Sequence, residues 1–184
     1  MRWEALFADL EGEFAAAQAA DLDVEVRDRA RREVATLRLL DRLRSAEGHE
    51  VSLHLAGAGA VRGRLAALGA GWVLVAETAG LEALVPLAAV LSVTGLGALS
   101  ATPGSEGQVA ARLDLGYALR GLSRRREQVA LVLTDGTVVH GTIDRVGADF
   151  VEVAEHPAGE ARRPAAVRAV RTLPLAALAL VRSG

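Results

Sequence analysis

The sequence has no cysteine, no lysine and no asparagine, one isoleucine (Ile143), and aromatics at only 3% of its 184 residues. The missing cysteine excludes a disulfide scaffold, a thiolate metal site and a thiol nucleophile. The scarcity of aromatics forces a core of Leu, Val and Ala, and leaves little for stacking on nucleic-acid bases. Arg, Ala and Gly have GC-rich codons, whereas Lys, Asn and Ile have AT-rich ones. The skew therefore reads as that of a GC-rich bacterial genome, not as arginine chosen for phosphate contact. No basic stretch followed by a long apolar run opens the chain, so no leader peptide is expected and a cytoplasmic protein is.

All 21 basic residues are Arg; they face 23 acidic ones for a net charge of -2. That balance excludes a globally basic nucleic-acid binder but leaves room for a local basic face. Residues 1–50 hold twelve acidic residues against eight Arg, a net of -4, and residues 105–184 hold nine against eleven, a net of +2. Between them lies a charge-poor middle, with no charge at all from 83 to 105. Pro86, Gly95, Gly97 and Pro103 interrupt that stretch, so it is not expected to span a membrane. Its poverty in charge predicts instead that it is covered by another part of the chain or by a second copy.

Trp3, Phe7, Leu10 and Phe14 lie at helical spacing and predict a helix over 2–19; Val26, Ala30, Val34, Leu37 and Leu40 predict another over about 24–44. Together they predict an N-terminal helical hairpin suited to dimerisation. After Glu50 the period changes to two, with turns at GAGA (57–60) and TDG (134–136). Comparison of the two strand-rich regions reveals a duplication. Val51, Leu53, Leu55, Val61, Gly63, Val73 and Val75 recur 78 positions later as Val129, Leu131, Leu133, Val139, Gly141, Val151 and Val153. VPLAAVLSV (85–93) returns as LPLAALALV (173–181) at an offset of 88, which gives the second copy ten extra residues near 156–167. Residues 98–107 read as a linker, followed by a helix over about 108–122.

The segment VALVLTDGTVVHGTIDRVGADFVEV, with its turn glycine Gly136 and inner glycine Gly141, resembles the first motif of the Sm-like family, which includes bacterial Hfq. LPLAALALVRSG resembles the second. Together with the helices and linker read from the residues, this resemblance makes the expected fold α+β: an N-terminal helical hairpin over 1–46, a five-stranded Sm-like or SH3-like barrel over 47–97, a linker over 98–107, and a helix with a second such barrel over 108–184. It also implies RNA as a ligand, while the charge-poor middle predicts self-association, at least a dimer. The family's base-recognising Asn is absent, the equivalent loops read Leu68-Gly69-Ala70-Gly71 and Val146-Gly147-Ala148-Asp149, and Ser183 separates Arg182 from Gly184. What remains of the resemblance is backbone contact without base readout.

No enzyme signature stands out, and neither a cofactor nor a metal is implied. GAGAVRG (57–63) lacks the Lys and Ser/Thr of a phosphate loop and aligns with a hairpin turn. His49, His54, His140 and His156 occupy non-equivalent repeat positions without metal spacing and read as ordinary surface or strand histidines. Two arginine clusters are the candidate nucleic-acid site: Arg120, Arg124, Arg125 and Arg126 beside the second helix, and Arg162, Arg163, Arg168 and Arg171 around the long loop, with Arg182 near the C-terminus. Arginine forks suit phosphate. The alternative is that they pair with carboxylates of this chain and the protein is an adaptor or oligomeric scaffold. Tyr117 and Phe150 are expected in the core.

Overall fold

The computed structural model describes residues 2–104, 112–159 and 162–183, in two compact units, Met1–Arg38 and Leu39–Gly184. The first unit is one helix, α1 (Arg2–Thr36), which runs through the expected turn at residues 20–23 without a break. The predicted hairpin is therefore absent. That stretch, Ala-Asp-Leu-Asp, contains neither glycine nor proline, so nothing in the backbone stops the helix. Arg29–Glu33 and Arg31–Asp28 pairs, both at 3.2 Å, support its later turns. Phe7, Phe14, Val26 and Val34 stay exposed on it.

The second unit opens with a separate short helix, α2 (Leu39–Arg44), and a longer α3 (Leu115–Arg125) precedes the second repeat. The start expected for α3 lies outside the described residues. Asp114 caps α3 by accepting from the Tyr117 amide at 2.6 Å, and Arg126 ends it in the left-handed region at φ 56°. Ten strands follow the duplication: β1 (Glu50–Leu55), β2 (Gly59–Gly69), β3 (Trp72–Ala76), β4 (Glu82–Pro86) and β5 (Val90–Thr94), then β6 (Gln128–Leu133), β7 (Val138–Val146), β8 (Phe150–Glu155), β9 (Ala169–Pro174) and β10 (Leu178–Ser183).

Two separate five-stranded barrels are not what forms. The strands make one ten-stranded antiparallel sheet in the order β5-β1-β2-β3-β4-β10-β6-β7-β8-β9. The joint is the β4–β10 pair, with Leu84 opposite Val181, Ala83 opposite Arg182 and Glu82 opposite Ser183. As separate barrels the halves would leave both strands with unpaired backbone groups; pairing them satisfies both edges at once. Within the sheet the duplication is explicit, since each half repeats the same strand order. The β2 and β7 register shifts fall between Leu65 and Ala67 and between Ile143 and Arg145, equivalent positions in the repeat. At the inner glycines Gly63 and Gly141, a Cβ would run into the backbone oxygens of Ala76 and Ala154.

Side chains alternate between two cores that interlock. Val61, Leu65, Val73 and Val75 fill the first; Val139, Ile143, Val151 and Val153 fill the second, all at most 1% exposed. Leu180 and Val132, from the second repeat, complete the first core, while Trp72 and Leu84, from the first repeat, belong to the second. The uncharged middle is thus covered in part by the other half of the chain. Its continuation is pinned by the Arg42 guanidinium, which donates to the carbonyls of Gly97, Ala98 and Leu99 at 2.7–3.1 Å.

A groove beside the third helix, and where the arginines go

Six of the nine candidate arginines are already held by carboxylates of the same chain. Arg120 meets Asp114 at 3.5 Å, Arg125 meets Glu127 at 3.3 Å, and Arg171 meets Glu155 at 3.0 Å. Arg126 and Arg162 converge on Asp144, the first at 3.1 Å and the second through both carboxylate oxygens at 2.8 Å. Asp144 thereby links the end of α3 to the long loop, and its hydrogen bond and charge raise the Arg162 guanidinium above its ordinary value. Arg182 forks onto Glu77 at 2.7 and 3.1 Å. Arg124, Arg163 and Arg168 are exposed and make no ion pair among the described residues.

The long loop is anchored further by Gln128, whose amide donates to the Pro157 carbonyl at 3.2 Å and accepts from the Gly159 amide at 3.0 Å. His156, at the loop's start, is not the ordinary histidine its sequence position predicts. It is 2% exposed, with Nε2 2.9 Å from the Thr142 hydroxyl and Nδ1 3.1 Å from the Pro157 carbonyl. Both ring nitrogens are satisfied, so the site is a buried brace with no open position for a ligand.

The concave feature of this face lies between α3 and the side of β3 and β4 that faces away from the first core. It encloses about 400 Å³ and is lined by Trp72, Leu74, Leu84, Leu113, Tyr117 and Leu122, with Glu82, Arg124 and Arg125 among its polar residues. The repeat explains its chemistry. Ala67, Leu74 and Leu84 are apolar in the first copy, whereas their second-copy equivalents are Arg145, Glu152 and Thr172. There Arg145 and Glu152 form a two-pronged pair at 2.7 and 2.9 Å in solvent. The same face is solvated in one half and apolar in the other, where α3 leans over it.

Tyr117, expected in the core, is 48% exposed at the wall of this groove. Trp72 is 8% exposed and its indole N–H is taken by the Leu113 carbonyl at 2.7 Å, so it supplies surface without a free donor. Sequence reasoning singled out the arginines and missed the apolar residues between them. The signal was the loss of polar character at 67, 74 and 84 in one copy alone. No family model, curated protein or solved structure matches the chain. No helix among the described residues is long and apolar enough to cross a membrane.

Proposed function

We propose that this chain is a non-enzymatic, cytoplasmic scaffold that joins proteins and does not bind nucleic acid as its main task. The carrying observation is the pairing of the arginines: with six of nine engaged in place by five carboxylates, much of the positive field that gathers phosphates is spent internally. Self-association is the second part of this reading. β5 and β9 end the sheet, each with one edge unpaired among the described residues, and they are the repeat equivalents of β10 and β4, which pair with each other at the joint. Leu91 and Val170 lie exposed on these edges, and an open strand edge is a template for another chain. This extends to assembly the likeness to Sm-like proteins drawn from the sequence.

The test is light scattering of the whole chain over a range of concentrations, alongside titration of a fluorescent single-stranded 15-mer RNA at physiological salt. The expected result is association that weakens when Val93→Pro removes a β5 donor, with no RNA binding. A monomer that binds RNA with a steep salt dependence overturns the reading.

A further inference from the structure

Resting on that reading, we propose that the partner at the open edges is a second copy of this chain, joined head to tail with its β5 on β9 in the register of the internal β4–β10 joint, and that polar side chains at those edges keep this outer joint weaker than the inner one. The repeat supplies the register. β5 lies on β1 as β10 lies on β6, with Val93 opposite Leu53 and Val181 opposite Leu131, and with the same slip where Leu55 meets Val90 and Leu133 meets Leu178. β9 lies on β8 as β4 lies on β3, with Pro174 opposite Phe150 and Pro86 opposite Trp72. The free sides of β5 and β9 therefore repeat the sides that β10 and β4 turn to each other. Transferring the joint by the offset of 88 sets Thr172 of one copy against Val93 of the next, and Arg171 against Thr94. The two edges differ, so the contact is heterologous and has no two-fold axis.

What distinguishes the two joints is side-chain chemistry. Leu84, Val132 and Leu180 are buried where the repeats meet, whereas their equivalents Thr172, His54 and Ser92 are polar and exposed. An outer joint in this register gains the backbone hydrogen bonds of an added strand but only part of the apolar burial. Val170 and Leu91, exposed at the two edges, and the half-buried Val93 supply what remains of it. The charges follow the same logic. Across the inner joint Arg182 reaches Glu77, whereas Glu155 is held by Arg171 of its own copy and Thr94 stands in place of Arg182. A copy that separates leaves neither Glu155 nor Arg171 without its partner, which suits a contact that forms and parts.

The chain has no cysteine, so introduced thiols report the register without background. Two single variants of the full chain, Val93→Cys and Thr172→Cys, are oxidised separately and mixed. A disulfide is expected only in the mixture, linking one variant to the other. Val93→Cys mixed with Val170→Cys, two residues out of register, should cross-link clearly less. Ser92→Leu with Thr172→Leu restores the residue types of the inner joint and should tighten association about tenfold by light scattering. His140→Leu, exposed on the interior strand β7, should leave it unchanged. All these positions are exposed or half-buried, so the variants should fold, which circular dichroism checks. A disulfide within either single variant, an equal yield with Val170→Cys, or no disulfide in any mixture overturns the inference. So does association that ignores the two leucines or gains as much from His140→Leu. If the parent still associates and fails to bind RNA, the scaffold reading survives that loss. A monomeric parent that binds the 15-mer RNA with a steep salt dependence overturns both.

Discussion

Arg182 Nε donates to Glu77 Oε2 at 2.7 Å and Nη2 to Oε1 at 3.1 Å, between residues 105 positions apart in the chain. The pair sits at the joint where β4 and β10 turn two repeats into one sheet, and it exists once. In the second repeat Glu155 takes the place of Glu77 and is held by Arg171, and in the first repeat the position equivalent to Arg182 is Thr94. Arg182, a candidate phosphate contact in the sequence, is paired across the joint.

Arg182→Ala is therefore predicted to destabilise the protein by about 1–2 kcal/mol, the low end for a charged hydrogen-bonded pair because the arginine remains partly in water. Urea melts checked by a double-mutant cycle with Glu77→Gln should show the two losses to be strongly non-additive. Additive losses would mean the fork contributes nothing across the joint.

The turns of the two repeats also meet. Gly57 has φ +68°, and a Cβ there would lie 2.5–2.6 Å from backbone atoms of Leu133, Thr134 and Gly136. Gly59 has a similar φ, +70°, but open space around it. Gly59→Ala should cost about 1–2 kcal/mol from backbone conformation alone. Gly57→Ala should cost clearly more, because the clash is with backbone that cannot swing away. Thermal melts of the two variants separate the conformational cost from the steric one.

The duplication, the turn glycines and the alternating core residues could all be read from the sequence, because period-two burial and a repeated register leave a mark at each position. Strand pairing between the repeats could not. Leu84 and Leu180 look like ordinary strand leucines, and nothing local says that each fills the core assigned to the other half. The N-terminal hairpin is absent because a stripe that drifts around one long helix reads like two helices. The groove was hidden for a related reason. Its lining comes from strands and a helix some forty residues apart, such as Trp72 and Leu113, and only the contrast of Leu74 with Glu152 hints at it.

Because the cores interlock, the ten-stranded unit should unfold as one. Leu180→Ala, in a residue of the second repeat that is wholly buried in the first core, should cost about 2–5 kcal/mol. It should lower the urea midpoint of a single transition without splitting it. A biphasic melt, with one half untouched, would show that the halves are independent.

Asp135 accepts a hydrogen bond from the Thr137 amide at 2.8 Å, and that bond holds its carboxyl below the ordinary carboxylate range. A depressed folded value means the contribution is complete above the unfolded value and disappears as pH falls through the folded one. Following the Thr137 amide by NMR should give a titration midpoint below that of an unstructured Asp. Asp135→Asn should remove that acid-range titration.

Asp144 offers the sharpest test of the proposal that the arginines are engaged internally and do not make a phosphate site. One carboxylate holds both Arg126 and Arg162, so Asp144→Asn removes the charge that neutralises them while nearly preserving shape. Two guanidinium groups then become available on neighbouring elements, the end of α3 and the long loop. The variant should bind RNA at physiological salt, where the parent is expected not to. Each new phosphate contact should add roughly 0.7 to the log–log salt slope on single strands, so a slope of about 1.4 is expected. Binding should be indifferent to sequence, since these contacts touch only the backbone. Adding Arg162→Ala to Asp144→Asn should halve the slope. A variant that binds no better than the parent would show that these arginines are silent for another reason, such as their positions relative to each other, and not because Asp144 neutralises them.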